Sequence, residues 1–513
     1  MSSVALGPDI VPRRRLRRSL AELTASRGSE IVLGIPIALV AIVALVQLPR
    51  EVNVDSWLEL VTGRLVWQSG LPQHETLTAM SHGSVWIDQQ WLAQLAAYVI
   101  YRAGGLGLLG LINVGLLVSG ITIAVVATRR LGAPFRSTLI VLPLCVTLIM
   151  PSRELRTQTF AVPLFMLLVY LLARDSREPS RRVFWCLPLL VLWANLHGTV
   201  TMGAMLVGLH GAVTLFERRR SLITSVRAWR RPLGLILGAG AAILVTPYGL
   251  AMVGYYRTTM ASSTLRHNVS EWQPVTTVTV TAVAVFLLAA VAIWSFGRRP
   301  CATTTWEKLA VLVLAASSIA VVRNALFFGL LAMMVVPVSL AWGAHTAQHE
   351  KDVRRAVING SIGAVTALVL LVAVVATLAR PSAALEYTAQ RPGILSAVDR
   401  VTRADPMVRV MSDEHFDDWL LWRDPALAGR IANDVRFETL SASQLASLQS
   451  LFGAFGPGFK QAARGYRLLV LDRHDDPGAW IAFQAEPGRR ILYNDGERLV
   501  ILRSAAQSAQ AEQ

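Results

Sequence analysis

The sequence predicts an all-α polytopic membrane protein of about eleven transmembrane helices, followed by a small α/β domain outside the membrane. Of the 513 residues, 53% are apolar and only 16% are charged, whereas about a quarter of the residues in a soluble domain are charged. Apolar runs of roughly 14 to 24 residues recur through residue 379, which is typical of membrane-crossing helices. Beyond residue 379 the apolar runs are short, and 16 basic residues balance 17 acidic ones.

The first 30 residues carry six arginines and precede the first apolar run. An arginine-rich segment before an apolar helix without a nearby cleavage site is typical of a retained signal anchor with a cytoplasmic N-terminus. We therefore predict a cytoplasmic segment over 1–30, a transmembrane domain over 31–379 and an extracytoplasmic α/β domain over 380–513, here called the tail.

The apolar runs predict eleven spans, with bounds good to a few residues. They lie near 31–48, 105–128, 137–151, 158–173, 183–197, 199–216, 233–250, 276–297, 309–322, 324–342 and 356–378. An odd number of spans places the two termini on opposite sides. The predicted cytoplasmic segments contain 25 basic residues and the opposite side of the transmembrane domain contains 8. This asymmetry predicts a plasma-membrane protein with its N-terminus inside and its tail outside.

The net charge of +16 does not indicate a nucleic-acid partner. Residues 1–379 carry 33 basic and 16 acidic side chains, and the excess is spread over six predicted cytoplasmic segments next to membrane lipids. No cofactor is predicted, because the nine histidines show no metal-ligand spacing. The three cysteines are too few and too apolar in setting for a disulfide framework.

The longest loop of the transmembrane domain, 49–104, is rich in polar and aromatic residues, and we call it the first loop. Its apolar residues between positions 54 and 65 recur at helical spacing, which predicts an amphipathic interfacial helix over 54–68. Asp55 lies at the start of that helix near Trp57, and Asp88 lies between two tryptophans, one of them Trp91. Carboxylates flanked by aromatic rings suit a sugar-binding site, and the alternative is that each aspartate caps a helix.

This loop carries a family resemblance. Asp55 is followed by "WQSGLPQHETLT" and then by "SVWIDQQWLAQLAAYVIYRAGGLG", which contains Asp88. The order resembles the first outer loop of GT-C membrane glycosyltransferases, the superfamily of protein O-mannosyltransferases and aminoarabinose transferases. The resemblance implies that Asp55 is the catalytic base or an acceptor-binding group. It also implies that Asp88 is the partner of Asp55, orienting the acceptor or, as an alternative, holding a divalent ion.

Three arginines are predicted to bind a donor phosphate. The third and ninth predicted spans are short, about 22 Å at 1.5 Å per residue against a hydrocarbon core of about 30 Å. The residues that follow them, Arg153, Arg156 and Arg323, are therefore expected in a recess, where guanidinium groups can bind phosphate bidentately. The alternatives are snorkelling or pairing with Glu154. Arg323 is the first choice because no acid adjoins it in the sequence.

Further polar residues near the same ends of the spans are predicted to line a substrate cavity. They are Asn195, His197, Tyr248, His267 and Glu271. Trp57 and Trp91 of the first loop are predicted to line the same cavity. For His197 the alternative is a helix-end histidine satisfied by the backbone.

The resemblance implies transfer of a sugar from a polyprenyl-phosphate donor to a glycan, lipid or protein acceptor of the cell envelope, at the outer face of the membrane. One carboxylate base opposite the leaving phosphate implies inversion at the anomeric carbon. The alternative is a non-catalytic envelope-assembly protein or a lipid or glycan transporter. No predicted span has Asp or Glu in its core, which argues against proton-coupled transport.

The tail is predicted to contain strands near 408–411, 467–472, 489–493 and 498–503 and helices near 441–453 and 476–486. It lacks any catalytic constellation, so we expect it to cover the site or to bind the acceptor. Its predicted contact surface consists of Trp419 and Trp422 with Asp413, Asp417 and Asp418, and the alternative is that these tryptophans belong to a core.

Overall fold

The structure is a computed structural model that describes residues 13–219, 227–261, 270–275, 277–340, 352–385, 392–453 and 459–504. Up to residue 385 the described chain is a bundle of thirteen α-helices. They are α1 (Arg13–Glu51), α2 (Val54–Ser69), α3 (Trp91–Arg130), α4 (Phe135–Ile149), α5 (Gln158–Arg177), α6 (Cys186–Leu196), α7 (Val200–Glu217), α8 (Arg227–Ala242), α9 (Ala251–Ala261), α10 (Val280–Arg298), α11 (Thr305–Ala320), α12 (Ala325–Leu340) and α13 (Asp352–Ala379). Each predicted span overlaps one of these helices, although the span predicted over 233–250 overlaps α8 only up to Ala242. The predicted helix of the first loop is α2.

The number of membrane crossings follows partly from helix length. Within the described ranges, eight helices are long and apolar enough to cross a membrane. The remaining predicted spans are α6, α8 and α11, which have 11, 16 and 16 residues. A 16-residue helix extends about 24 Å, less than a hydrocarbon core of about 30 Å. The polytopic helical fold is confirmed, and the number of eleven crossings stays a prediction.

The centre of the bundle is α12, whose side chains from Ala325 to Ser339 are all buried. The ring of Phe327 contacts Phe165 of α5 at 4.9 Å and Trp193 of α6 at 6.2 Å between centroids. By contrast, α13 packs on α1 and leaves most of its apolar side chains exposed. An apolar exposed face on a long helix is suited to lipid contact.

α3 changes direction at Gly104 and Gly105, where the second predicted span begins. Gly105 has φ +63°, a left-handed conformation that glycine adopts without a side-chain clash. A Cβ atom at Gly105 would lie 2.5 Å from Oγ of Ser382. That hydroxyl accepts the backbone N–H of Leu106 at 3.2 Å. The glycine therefore lets the start of the tail bind the broken turn of the helix.

The third span is longer than the sequence indicated. A 3₁₀ turn over Met150–Arg153 extends α4, so that Phe135–Arg153 forms 19 consecutive helical residues. The expectation of a 15-residue span is therefore wrong, and span length does not explain the position of the arginines that follow. Arg156 is held by contacts with α2, and Arg153 pairs with Glu51 at the end of α1, as described below.

The spacing predicted that α2 lies in the membrane interface with one face open to lipid, and the structure shows a different setting. α2 packs on α3 along one side and on the tail along the other. A Cβ atom at Gly63 would lie 2.2 Å from the carbonyl oxygen of Gln94, so glycine is needed for the close approach of α2 to α3. Trp57 is fully buried, with its ring 6.5 Å from that of Trp422 in the tail. Its apolar positions therefore form a core and do not face lipid.

The tail is a small α/β unit, as predicted. Its elements are α14 (Pro392–Ala404), β1 (Val410–Ser412), α15 (Glu414–Arg423), α16 (Ala442–Gly453), α17 (Phe459–Ala462), β2 (Leu468–Asp472), α18 (Pro477–Gln484), β3 (Arg490–Asn494) and β4 (Arg498–Leu502). The strand order is β1-β2-β4-β3, with β1 parallel to β2 and the other neighbours antiparallel. All four predicted strands and both predicted helices of the tail are confirmed.

The predicted contact surface of the tail is wrong. Asp413, Asp417, Asp418 and Trp419 are buried, and the last three lie on α15, which packs against α2. Trp422 is partly buried beneath the first loop, where the guanidinium of Arg64 lies 4.7 Å from its ring centroid. The alternative of core tryptophans is the one that the structure supports.

A buried ion-pair network joins the first loop to the tail. Nη2 of Arg436 lies 2.7 Å from Oε2 of Glu75, and its Nε donates to Oδ2 of Asp434 at 2.9 Å. The same guanidinium lies 4.2 Å from the ring centroid of Trp86. Apolar side chains of the first loop and the tail share one hydrophobic core around these groups. The two segments are therefore packed as one body.

This contact constrains the membrane topology. Because the first loop touches the tail, both lie on the same side, and the chain between them crosses the membrane an even number of times. Within the described ranges, seven of the eight long apolar helices follow the first loop. If all seven cross the membrane, an odd number of the shorter helices crosses as well. Eleven crossings satisfy this requirement, whereas eight do not.

Candidate active site

Asp55 lies in the first turn of α2 but does not cap it. The cap is Asn53, whose Oδ1 accepts the backbone N–H of Ser56 at 3.4 Å, and Oγ of Ser56 accepts the N–H of Asn53 at 3.2 Å. This reciprocal pair satisfies the free N–H groups of the first turn. Oδ2 of Asp55 lies 2.6 Å from Nε of Arg156. The alternative that Asp55 merely caps the helix is therefore wrong.

Arg156 is at the centre of the site, because three carboxylates surround its guanidinium. Besides Asp55, Oε2 of Glu154 lies 2.7 Å from its Nη2 and Oε1 of Glu271 lies 2.5 Å from its Nη1. Burial by itself lowers the pKa of Arg156, but the carboxylates of Asp55, Glu271 and Glu154 raise it overall. The guanidinium therefore keeps its charge in a partly desolvated place.

The carboxylates around Arg156 differ in electrostatic setting. Burial raises the pKa of Glu154, and the charge of Arg156 only partly offsets this effect. Burial also acts to raise the pKa of Glu271, but Arg323 and Arg156 lower it overall. Glu271 is therefore a stable anion between two guanidinium groups.

A pocket of about 620 Å³, including its open part, adjoins Arg156, and we call it the arginine pocket. Its polar side is formed by Glu154, Arg156, Gln158, Glu271 and Arg323. Its apolar side includes Leu148, Val322 and Leu326. Apolar walls with convergent charged groups suit an amphiphilic ligand with an anionic group.

Arg323 reaches the arginine pocket from the short turn between α11 and α12. Its Nε donates to Oε1 of Gln158 at 3.0 Å, and its Nη1 lies 3.8 Å from Oε2 of Glu271. The expectation that Arg323 has no acidic neighbour is therefore wrong, because Glu271 is distant in sequence and close in space. Nε2 of Gln158 is buried without a hydrogen-bond partner, so the pocket wall retains an unused donor.

Arg153 is directed away from the arginine pocket. Its Nη2 lies 2.8 Å from Oε1 of Glu51, at the end of α1, and its Nη1 donates to the carbonyl of Met150 at 2.9 Å. It is not among the residues that line the pocket. The structure thus brings two of the three predicted arginines together and gives the third a pairing role.

Asp88 lies just before α3, away from the Asp55 pair. Its carboxyl accepts the backbone N–H of Gln90 and faces the amide of Gln94, whose nitrogen, correctly oriented, lies 2.7 Å from Oδ2. Burial raises the pKa of Asp88 to about 7, against the lowering effect of Arg436. In the part of the chain that the structure covers, no hydrogen bond joins the carboxyls of Asp55 and Asp88. The N-cap of α3 is Gln90 and not Asp88. The alternative that Asp88 caps the helix is therefore wrong, and what distinguishes this carboxyl is a pKa close to neutral.

Trp91 and Asn195, both predicted to line the cavity, bind each other. Nε1 of Trp91 donates to Oδ1 of Asn195 at 3.1 Å, and Nδ2 of Asn195 donates to the carbonyls of Val191 and Val245 at 2.9 Å. This arrangement fixes the beginning of α3 to the end of α6 and to the chain after α8.

His197 and Tyr248 lie near the charged groups of the site. Nδ1 of His197 lies 2.9 Å from Oγ1 of Thr199, and burial, together with Arg323 and Arg156, lowers the histidine pKa well below its usual value. The ring is therefore neutral. The hydroxyl of Tyr248 donates to the carbonyl of Pro72 at 3.2 Å, and burial raises its pKa to about 12.

Two predicted cavity residues do not contribute to the described site. Trp57 belongs to the core between α2 and the tail, because its ring is buried against Trp422. His267 lies outside the described residues.

A group of side chains with the spacing of metal ligands occurs in the tail. Among the described residues, Asp413, His415 and Asp475 each offer one ligand atom within 4.8 Å of the others. Nδ1 of His415 lies 2.9 Å from Asp413 and 3.3 Å from Asp475, and the hydrogen bond to Asp413 raises the histidine pKa to about 9. Asp55 and Asp88 belong to no such group.

Two buried acids near the site, Glu51 and Glu59, were not predicted from the sequence. Glu51 pairs with Arg153, and Glu59 accepts the backbone N–H of Thr157. Glu59 follows Asp55 by four residues, so both lie on one face of α2. A second acid four residues after Asp55 in a predicted helix was the signal that could have identified Glu59.

Comparison with solved structures identifies the fold. ArnT from Cupriavidus metallidurans bound to undecaprenyl phosphate is 14% identical with a TM-score of 0.50, over 93% of this chain and 99% of that one. The oligosaccharyltransferase of Archaeoglobus fulgidus is 11% identical with a TM-score of 0.48, over 92% of this chain and 74% of that one. No protein-family model matches the chain, and neither does any curated protein sequence.

The class of protein follows from these observations. The chain has the GT-C fold, a polytopic helical membrane fold, here with a small α/β tail. Its first loop carries an aspartate paired with an arginine at the mouth of an amphiphilic pocket. This combination supplies a carboxylate that can take a proton and guanidinium groups that can bind a phosphate.

Proposed function

We propose that the protein transfers a sugar from a polyprenyl-phosphate-linked donor to a cell-envelope acceptor, with inversion at the anomeric carbon. The observation that carries the proposal is the joining of Asp55 to Arg156 at the edge of the arginine pocket, with Arg323 on the opposite side of Glu271. The ArnT structure with the same fold was solved with undecaprenyl phosphate bound, which supports this choice of donor lipid.

In the proposed reaction, a hydroxyl oxygen of the acceptor attacks the anomeric carbon of the sugar. The bond from that carbon to the phosphate oxygen breaks, Asp55 takes the hydroxyl proton, and the polyprenyl phosphate leaves with the electron pair. Base and leaving group act on opposite sides of the sugar ring, so one displacement inverts the configuration. Proton removal in the transition state contributes roughly 10²- to 10⁴-fold in rate.

The arginines are proposed to bind the phosphate and to stabilise its growing charge. Without a ligand, Arg156 is neutralised by Asp55, Glu154 and Glu271. A phosphate at Arg156 and Arg323 would compete with these carboxylates for the same N–H groups. Donor binding would therefore loosen the pair between Asp55 and Arg156 and free the carboxylate to act as a base.

The remaining predicted residues have supporting roles in this proposal. Asp88 orients the acceptor, and its pKa near 7 allows it to accept or donate a hydrogen bond at neutral pH. Asn195, His197 and Tyr248 form the wall of the substrate cavity. The acceptor is a glycan, lipid or protein of the cell envelope.

The two pocket arginines are expected to determine affinity for the lipid phosphate. Replacing Arg156 or Arg323 by glutamine removes a charge-assisted contact, which should weaken binding of undecaprenyl phosphate about tenfold to a hundredfold. The measurement is a titration of the purified full-length protein in detergent with undecaprenyl phosphate. Arg403→Gln is the control, because that arginine is 82% exposed and pairs only with Asp399 among the described groups.

Unchanged affinity in both pocket variants would contradict the placement of the donor phosphate. Equal weakening by Arg403→Gln would show that the loss reflects net charge and not the pocket.

The proposed activity is tested most directly in cells. Loss of the transferase should make its unused donor accumulate, so a deletion strain should contain more of one polyprenyl-phosphate-linked sugar than the parent strain. Mass spectrometry of the lipid extract measures this increase and gives the mass of the sugar. Binding of undecaprenyl phosphate without any such accumulation would instead favour a non-catalytic assembly protein.

The orientation is part of the proposal, with the N-terminus cytoplasmic and the tail outside. An alkaline phosphatase fused after Arg380 should be active, because the enzyme folds only outside the cytoplasm, and a fusion within the loop at 298–308 should be inactive. An inactive fusion after Arg380 would contradict an outer-face site. The measurement is phosphatase activity in whole cells, normalised to the amount of fusion protein.

A further inference from the structure

Glu59 is a buried acid that the proposed reaction does not use. Glu59 lies in the middle of α2, and only 4% of its surface is exposed. Its Oε1 accepts the backbone N–H of Thr157. A buried carboxyl is unfavourable unless its polar atoms are satisfied, so this contact with the neighbouring loop accounts for its presence.

α2 binds the peptide groups on both sides of Arg156. On one side, Oγ of Ser56 donates to the carbonyl of Leu155 at 2.8 Å. On the other side, Glu59 binds the N–H of Thr157. Since Asp55 pairs with the guanidinium itself, one face of α2 holds both the backbone and the side chain of Arg156.

The rest of the loop is fixed from α3 and from the segment before it. Nδ2 of Asn113 donates to the carbonyls of Arg153 and Glu154 at 3.1 Å. Oγ1 of Thr157 donates to Oε1 of Gln90 at 2.8 Å. None of these contacts involves the N–H of Thr157, so Glu59 provides a separate constraint on the residue that follows Arg156.

We propose that Glu59 is a positioning residue, which holds the backbone at Thr157 so that the guanidinium of Arg156 faces the arginine pocket and binds the donor phosphate. This inference rests on the proposed function, because it takes a lipid phosphate as the ligand of Arg156. A displacement of about 1 Å in a binding group is enough to weaken a geometrically demanding contact.

The charge of Glu59 fits such a role. Burial raises its pKa to about 8, against the lowering effect of the hydrogen bond from Thr157. Near neutral pH the carboxyl is mostly protonated, so it accepts the Thr157 N–H without adding a full fourth negative charge beside Arg156. A glutamine at position 59 is neutral and also offers an oxygen acceptor, so it should perform the same role as Glu59.

The test measures binding of undecaprenyl phosphate to the purified full-length protein and its variants. Glu59→Met keeps the length of the side chain but removes the acceptor, and should weaken binding about tenfold. Glu59→Gln should bind within about twofold of wild type, since it keeps the hydrogen bond. Thr62→Val is the matched control, because its hydroxyl is buried on the same helix and binds the carbonyls of Leu58 and Glu59 and the amide of Gln94, none of which belongs to the loop of Arg156.

A double-mutant cycle with Arg156→Gln separates positioning from general destabilisation. If Glu59 acts through Arg156, Glu59→Met should weaken binding less than about twofold in the Arg156→Gln background. The same tenfold loss in both backgrounds would overturn the inference, and so would tenfold weaker binding by Glu59→Gln. If Glu59→Met does not fold, Ser56→Ala in the same cycle removes the other backbone contact and should show the same dependence on Arg156.

The outcomes distinguish this inference from the proposed function. A wild-type protein that does not bind undecaprenyl phosphate contradicts both. A wild-type protein that binds it, with Arg156→Gln weakened and Glu59→Met unchanged, leaves the proposed function intact and overturns the role of Glu59.

Discussion

Replacing Asp55 by asparagine is expected to lower sugar transfer roughly 100- to 10,000-fold while leaving the protein folded. Asparagine keeps the size of the side chain but cannot take the proton of an attacking hydroxyl. The fold should tolerate the change, because Asn53 caps α2 and Arg156 retains two other carboxylates. The measurement is accumulation of the polyprenyl-phosphate-linked sugar in cells that carry the variant in place of the wild-type gene, at equal protein level.

Asp399→Asn is the matched control for this variant. Asp399 also pairs with an arginine, Arg403, but on the surface of the tail, at 3.2 Å. The control variant should transfer sugar at the wild-type rate. Wild-type transfer by Asp55→Asn would remove Asp55 from the mechanism and reduce its role to holding Arg156.

Affinity distinguishes the two roles of Asp55. If Asp55 competes with the donor phosphate for Arg156, the Asp55→Asn variant should bind undecaprenyl phosphate at least as tightly as wild type. A variant that loses the catalytic base but still binds the donor has a lower turnover and an unchanged affinity.

The elements that the sequence predicted well are those set by local pattern. The apolar runs gave helices because a membrane-crossing segment must satisfy its backbone internally and bury apolar side chains along its whole length. The tail strands were predicted because β2 and β4 are short runs of branched apolar residues bounded by polar turns. Each of these signals lies within a few residues of the element that it predicts.

The site was predicted less completely, because its pairs join distant residues. Asp55 and Arg156 were each identified from the sequence. Their ion pair was not, because the two residues are about a hundred positions apart and no local pattern links them. The same reason explains the error at Arg323, whose acidic partner Glu271 is 52 positions earlier. Pairing between loops depends on how the helices pack, and helix packing cannot be predicted from the sequence of a single loop.

The amphipathic pattern of α2 led to the opposite kind of error. Helical spacing of apolar residues shows that one face is covered, but not by what covers it. Lipid was the expected cover, and the tail is the actual one, so Trp57 became a core residue next to Trp422. The acids on the other face, Asp55 and Glu59, are bound by groups of the loop that contains Arg156.

The contact that keeps the tail in place is expected to depend strongly on Arg436. Its guanidinium is buried between the carboxylates of Glu75 and Asp434, with a ring contact to Trp86. Arg436→Met keeps the length of the side chain and removes the charge. The variant should lose about 3–5 kcal/mol of unfolding free energy, because two buried carboxylates are left without their cation. The measurement is chemical unfolding of the purified protein, followed by tryptophan fluorescence.

The expected loss depends on pH with a definite sign. Burial already raises the pKa of Glu75, although Arg436 opposes that effect. Without the arginine, the folded-state pKa of Glu75 rises further above its unfolded value. A group of this kind contributes stability that is present below the unfolded pKa and is lost as pH rises through the folded pKa. The deficit of Arg436→Met should therefore be smaller at pH 5 than at pH 8.

An exposed pair on the same tail gives the comparison that decides the cause. Arg403→Met breaks an ion pair in which the arginine is 82% exposed, and such pairs contribute about 0–1 kcal/mol. If Arg436→Met cost no more than Arg403→Met, or cost the same at pH 5 and pH 8, the carboxylates would not be desolvated in the folded protein. The first loop would then not be fixed to the tail by this network. Only the apolar contacts around Trp422 would hold both on one side of the membrane.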